Sequence, residues 1–173
     1  MAPPIDHLKL IIQRFDAYII ASNTKSAFLL AFNTFICGSI ISANKSLLHL
    51  VNERHQHFIA VILALGFICG IICLFFVMRA MYPYMTSGNS SANRYHSLIF
   101  FRSVTEFSSA DSYVKKLKEE NEDAFWEDLA KQIYQVSKGL RQKYKYVGYA
   151  TTCVYIQLSF MLLTITLILI ENL

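Results

Sequence analysis

Three stretches of this chain contain no Asp, Glu, Lys, Arg or His: residues 27–43, 58–78 and 147–170, of 17, 21 and 24 residues. A bilayer core about 30 Å thick is crossed by about 20 apolar residues in helix, with runs of roughly 17 to 25 tolerated. The second and third stretches meet that length outright, and the first is short but within reach. Hydrophobic residues make up 54% of the chain and charged residues 16%, and the mean hydropathy of +0.37 comes from these runs rather than from an even spread. The expected fold is therefore an all-α membrane protein with three transmembrane helices.

The remaining residues organise themselves around the spans. Residues Met1 to Leu10 lack the basic start and apolar core of a cleavable signal, so the first run is expected to be retained as structure. Ile5, Leu8, Ile12, Phe15 and Ile19 recur at 3, 4, 3, 4, the seam of a helix that packs on another helix. With neither Gly nor Pro from Ile5 to Cys37, that helix should run into the first span unbroken. A second seam, Phe125, Leu129, Ile133, Val136, Leu140, Tyr144 and Val147, leads into the third span. Two such seams on one membrane face should bury against each other or against copies from another chain.

The segment from Tyr82 to Phe107, with Pro83, Gly88 and Ser, Asn and Ala around them, reads as a loop. Ser108, three residues before Asp111, resembles a capping box for a helix over about 109–118. The expected cytoplasmic domain is thus helical, formed by the N-terminal helix and the segment between the second and third spans.

Charge placement orients the arrangement. Of 16 Lys and Arg residues, 3 precede the first span, 2 lie in 44–57 and 11 lie between Arg79 and Tyr146. Because basic residues favour the cytoplasmic side, the expected order is a cytoplasmic N-terminal helix over 1–26, spans over 27–43, 58–78 and 147–170, an outer loop over 44–57, a cytoplasmic sensor region over 79–146, and an outer C-terminus over 171–173.

Neither a phosphate loop, nor HExxH, nor a nucleophile elbow, nor paired CxxC is present, so no enzymatic activity is expected. Cys37, Cys69, Cys73 and Cys153 all fall in the apolar runs, where a thiol acts as a small hydrophobe. His49, Glu53, His55 and His57 cluster between the first two spans without metal-ligand spacing and read as a solvated loop; no metal is assigned. The charge run over 115–120, Lys-Lys-Leu-Lys-Glu-Glu, reads as a solvated helix face.

Arg94, Tyr95, His96 and Arg102 flank the apolar residues 98–101. Guanidinium groups can clamp a phosphate and aromatic faces can stack on a base; equally, these side chains can meet lipid headgroups and pack beneath the loop. Within the spans, Gly66 and Gly70 form GxxxG, with Ala60 and Ala64 at the same spacing, which lets another helix approach closely. Thr152, Ser159 and Thr166 recur at intervals of seven with Tyr155 beside them, a stripe expected to hydrogen-bond within the bundle rather than to line a wet path.

The residues at 22–26 (Ser, Asn, Thr, Lys, Ser), 97–101, 108–113, 128–134 and Lys143-Tyr144, together with the order of spans, resemble the membrane effectors of bacterial anti-phage Pycsar systems over residues 22–145. At Asn23 the family pattern has Asp. The resemblance implies a protein encoded beside a pyrimidine nucleotide cyclase, which senses 3′,5′-cyclic CMP or cyclic UMP and impairs the bacterial inner membrane before the phage matures. No other cofactor and no nucleic acid polymer is implied; the lipid bilayer and further copies of the chain are the expected partners. Lys25, Arg94, Arg102, Tyr113 and Lys143 are the candidate ligand contacts, each with a headgroup or packing role as its ordinary alternative. The other functional class is a ligand-independent membrane helper subunit that docks a partner protein on its cytoplasmic helices.

The topology is checked by reporter fusions. Alkaline phosphatase fused at Asn93 should be inactive and fused at Ser46 active; activity at Asn93 overturns the orientation.

Overall fold

A computed structural model describes residues 4–82 and 97–173. Among the described residues every regular element is helical: α1 (Ile5–His49), α2 (Glu53–Met81), α3 (Phe101–Val104), α4 (Ala110–Glu119) and α5 (Glu122–Glu171). α1, α2 and α5 are long and apolar enough to cross a membrane. The chain divides into two compact units, one of residues 1–20 and 83–142 and the other of residues 21–82 and 143–173. α1 and α5 are each continuous from one unit into the other.

The helix starts have local causes. α1 begins directly after Pro4, whose carbonyl accepts the His7 N–H at 3.0 Å, and a proline fits here because it has no N–H to leave unpaired. α5 is capped by Asn121, whose Oδ1 accepts the Ala124 N–H at 2.8 Å. The cap of α4 sits one residue later than the Ser108–Asp111 spacing suggests. Ser109 is extended, with φ −157° and ψ 162°, and its hydroxyl accepts the Ser112 N–H at 3.1 Å while the Ser112 hydroxyl accepts the Ser109 N–H at 3.2 Å. The Ser-x-x-Ser frame closes both bonds of the box and leaves Asp111 in the first turn, where its charge favours the helix N-terminus.

α1 also continues to His49, and α2 starts at Glu53, so Leu50, Val51 and Asn52 alone connect them. In the expected loop over 82–107, residues 101–104 form the single turn α3, and residues 83–96 lie outside the described ones.

In the first unit, Ile5, Leu8, Ile12, Phe15 and Ile19 are the only residues from 4 to 20 that are not exposed, as their spacing requires. Leu98 and Leu129 are buried, and Phe125, Ile133, Val136 and Leu140 are half-buried. The polar face of α4 carries ion pairs Lys115–Glu119 and Lys116–Glu120, the solvated face its charge pattern suggests.

The second unit packs residues 21–49 of α1, all of α2 and the C-terminal part of α5. Here the heptad seam of α1 goes on through Ser22, Ser26, Leu29, Asn33, Ile36, Ile40, Ala43 and Leu47, none of them exposed. α2 presents Gln56, Ile59, Leu63, Gly66, Gly70, Cys73, Val77 and Ala80 in the same rhythm, and α5 presents Lys143, Tyr146, Ala150, Cys153, Gln157, Phe160, Thr164, Leu167 and Glu171. A 3, 4 alternation on every helix is the pattern of knobs-into-holes packing.

The opposite faces carry exposed Phe28, Phe35, Ile71, Phe75, Leu162 and Leu169. Apolar surface on that scale fits contact with hydrocarbon, as the length and composition of the three helices also do. The stripe of Thr152, Ser159 and Thr166 is exposed and faces away from the seam. Each hydroxyl bonds the carbonyl four residues earlier, at 3.1, 2.9 and 2.8 Å, which satisfies it within its own helix instead of across the bundle.

Two apolar clusters fill the interior, Ile36, Ile40, Val51, Ile59, Leu63 and Ile168 at one level and Cys73, Val77, Ala150, Cys153 and Val154 at the other. Between them Asn33 Nδ2 donates to the Gly70 carbonyl at 3.1 Å, Gln157 Nε2 donates to Cys37 Sγ at 3.4 Å, and the Cys37 thiol faces Asn33 Oδ1 at 3.9 Å. This layer exists because Gly70 has no side chain: a Cβ there would lie 2.3 Å from Cys37 Sγ and 2.6 Å from Gln157 Nε2. At Gly66 a Cβ would meet its nearest neighbours at 3.6 and 3.7 Å, ordinary contact.

Gly70→Ala should therefore destabilise the detergent-solubilised protein by about 1–3 kcal/mol, the usual cost of overpacking, and Gly66→Ala should be close to neutral. Thermal denaturation of the two variants measures the difference; equal behaviour overturns the assignment of Gly70 as the close-approach point.

Candidate functional site

The expected ligand contacts fall in two places, and Arg94 lies outside the described residues. In the first unit the segment 97–100 is held by Asp128 of α5. The Asp128 carboxylate, 5% exposed, accepts the Leu98 N–H at 2.8 Å and the Ser97 hydroxyl at 3.1 Å. Ser97 Oγ in turn accepts the N–H groups of Ile99 and Phe100, at 3.2 and 3.0 Å. One buried carboxylate thus fixes four consecutive residues, and the chain emerges from them into α3.

Arg102, in α3, is exposed, and its guanidinium makes no ion pair among the described residues. Tyr113, in α4, donates its hydroxyl to the Leu98 carbonyl at 2.9 Å, and its ring lies 5.4 Å from that of Phe107. Tyr113 and Asp128 therefore grip the same residue, Leu98, by its carbonyl and its N–H. The Tyr113 hydroxyl is thus engaged within the unit.

In the second unit Lys25 and Lys143 come to the same end of the bundle. Lys143 Nζ donates to Asn23 Oδ1 at 3.0 Å and to the Ala80 carbonyl at 2.8 Å. The latter is one of the carbonyls that the end of α2 leaves without a helical partner, the place where a cation is favoured. Lys143 so joins α5 to both α1 and α2.

Partial burial pushes the Lys143 ammonium below its ordinary pKa, with two neutral acceptors and no carboxylate beside it to offset the lost solvation. Beside it, Lys25 lies over the Tyr144 ring at 5.7 Å and Arg79 over the Tyr146 ring at 5.5 Å. Glu53 and Glu171 are the only acidic residues of this unit, and both belong to the other end. The Lys143 end is a cationic rim without acidic residues, suited to a phosphodiester or a lipid headgroup.

At the other end Glu171 accepts the Asn52 N–H at 2.8 Å and faces His55 Nδ1 at 3.3 Å. Burial alone would raise its pKa, but these bonds outweigh that and lower it. His55 thus contacts the C-terminal end of α5, and among the described residues no three His, Cys, Asp or Glu side chains gather to hold a metal.

Two sets of residues escape sequence reasoning. Residues 97–101 and 128–134 stand out in the sequence only through the family resemblance, and it is the fold that brings residues 97–98 to Asp128. Asn33 and Gln157 have a usable signal, an amide at a heptad core position inside an apolar run.

These features define a class: a multi-span helical membrane protein whose first and last membrane-length helices extend into a separate helical unit. Within that class the chain belongs to the Pycsar effectors, because the family model for the Pycsar effector protein domain matches residues 7–170. That places it among the membrane effectors of anti-phage defence and covers both units. No curated protein and no solved structure matches the chain.

The grip of Asp128 gives a pH prediction. Burial raises its pKa against the lowering effect of the Leu98 N–H, so the folded state holds that proton more tightly than the unfolded chain does. Its contribution is complete below the ordinary carboxylate pKa and is lost as pH rises through the raised value. Asp128→Asn keeps an acceptor for the Leu98 N–H and should remove this pH dependence with little loss of stability at neutral pH. Asp128→Ala strands the donors and should cost about 1–3 kcal/mol. Denaturation midpoints measured from pH 4 to 8 check both.

Proposed function

We propose that the chain is an anti-phage effector that senses a 3′,5′-cyclic pyrimidine nucleotide, cyclic CMP or cyclic UMP, supplied by a cognate cyclase, and that it responds by impairing the bacterial inner membrane in an abortive infection. The observation that carries this reading is the family match over 7–170. The N-terminus and the first unit are cytoplasmic in this proposal, following the charge bias.

The nucleotide's single negative charge is read by Arg94 or Arg102, and Tyr113 is the contact for its base; Lys25 and Lys143 are the contacts next in line. Exposed, unpaired Arg102 supports this, since a guanidinium forms two parallel bonds to the outer oxygens of a phosphodiester. Binding favours one arrangement of the helices, and the unbroken α1 and α5 carry that preference into the membrane. Several copies of the chain act together.

Calorimetry on the purified full chain with cyclic CMP and cyclic UMP tests this directly. Wild type should bind at least one of them, and Arg102→Lys should weaken binding about tenfold or more, equal to about 1.4 kcal/mol. A lysine keeps the charge and loses the paired geometry, whereas a headgroup contact would tolerate it. Wild-type affinity in Arg94→Lys, Arg102→Lys and the double variant moves the site to Lys25 and Lys143. Absence of binding by the wild-type chain favours the helper-subunit reading.

A further inference from the structure

The interior of the second unit holds a line of polar side chains, two of which carry an unpaired polar atom. Ser22, Ser26 and Asn33 on α1 and Gln157 and Thr164 on α5 are 0–3% exposed, and all five occupy heptad seam positions. Ser26 and Thr164 satisfy their hydroxyls on their own helices, at 2.9 and 3.0 Å.

Ser22 Oγ and Gln157 Oε1, in residues that are 0% exposed, have no hydrogen-bond partner among the described residues. An unpaired amide oxygen in an apolar interior is a cost to stability, and a Met of similar length would remove that cost. Neutral polar side chains in membrane helices ordinarily bond across the bundle; the two left unpaired here fit a path that is wet in another state.

The placement along α5 agrees. Gln157 lies fourteen residues from Lys143 and fourteen from Glu171, about 21 Å in each direction at 1.5 Å per residue. The total of about 42 Å equals a bilayer with its headgroup regions. Lys143 and Glu171 therefore stand at the two membrane surfaces, and the Asn33–Gln157 layer lies at mid-membrane.

We propose that this line is the ion path of the activated protein: when the three seams part, water and small monovalent ions cross along Ser22, Ser26, Asn33, Gln157 and Thr164, and the two amides form the gate. The inference rests on the proposed membrane-impairing function and deepens it, replacing general disruption of the bilayer by a conducting path with a defined lining. Because that lining is neutral and its Lys143 end is a cationic rim, wild type should pass anions at least as readily as cations. A carboxylate placed at the gate should select cations.

The full-length protein in planar bilayers, with cyclic CMP or cyclic UMP added on either side, gives the test through the reversal potential in a KCl gradient. Gln157→Glu should raise the K⁺ over Cl⁻ permeability ratio by about tenfold, and Asn33→Asp should do the same, so that failure of one variant to insert leaves the other.

The native thiol beside the gate supplies a second readout. Cys37 should react with a membrane-impermeant, charged methanethiosulfonate only when the nucleotide is present, the labelled site being read by mass spectrometry. Current with a wild-type permeability ratio in both acidic variants, or a conducting protein whose Cys37 stays unlabelled, overturns the path while leaving the effector reading intact. If the wild-type chain binds nucleotide but carries no current, the membrane-impairing reading falls and the path falls with it.

Discussion

An amide side chain inside hydrocarbon has to find its partner within the protein, and in this chain that requirement sets how the three membrane-length helices meet. Asn33 reaches the carbonyl of Gly70, which is possible only where the two backbones come close, and they come close because position 70 lacks a Cβ. Gln157 approaches the same point from α5 through Cys37. Apolar seams alone would permit α1 to slide by a heptad against α2 with similar burial. The amide layer forbids that, because a displaced Asn33 would face a side chain instead of an open carbonyl. A single polar residue at a core position that fixes register at some cost in stability is the established use of such residues in coiled coils.

The same register is enforced at both ends, from one helix position. Lys143, Gln157 and Glu171 succeed one another by fourteen residues on the seam of α5. Each ties α5 to another helix or to the α1–α2 connection: Lys143 to Asn23 and Ala80, Gln157 to Cys37, Glu171 to Asn52. Asn172 adds a bond from its Nδ2 to the Leu50 carbonyl at 3.0 Å. The charged members stand where water and headgroups can reach them, and the neutral amide stands where they cannot. That is the distribution the energetics of a bilayer demand.

How far the sequence reveals this follows from what kind of signal each feature leaves. The spans are legible because the absence of charge over 17 to 24 residues has one physical explanation. The seam of α1 is legible from Ile5 to Ile19 because its members are apolar, and it disappears from view at Ser22, Ser26 and Asn33 because a hydropathy pattern marks polar residues as outward. In a membrane that inference reverses: Phe28 and Phe35 face out and Asn33 faces in. The same reversal explains Thr152, Ser159 and Thr166, whose periodicity is real but whose hydroxyls are satisfied locally and carry no information about the bundle. Helical structure from Asn44 to His49 is hidden for another reason, since polar residues past a span read as loop while the helix simply projects beyond the apolar run. The hold of Asp128 on Ser97 and Leu98 spans thirty residues, and no local pattern announces a tertiary contact of that range. Of the expected ligand contacts, Lys25 and Lys143 share one end of one unit, whereas Arg102 and Tyr113 belong to the other.

On the proposed function, the strength of these ties is as informative as their geometry. Hydrogen bonds between membrane helices are worth about 0.6 kcal/mol on average, so the ties at Asn33, Lys143, Gln157 and Glu171 together hold the bundle by only a few kcal/mol beyond packing. Shifting a two-state protein from about 1% to 99% active takes about 5.5 kcal/mol of differential binding, and a micromolar ligand has about 8 kcal/mol in all. A nucleotide can therefore supply the shift only if the resting state is held by bonds of this modest size. Were the nucleotide held at Lys25 and Lys143 instead of at the arginines, Lys143 would be the tie most open to replacement, because its partners are an amide oxygen and a carbonyl, and an anion would give the half-buried ammonium a counter-charge it lacks at rest. Its loss would release the end of α2 and one side of α1 together, and both lead along their seams to the amides at mid-membrane.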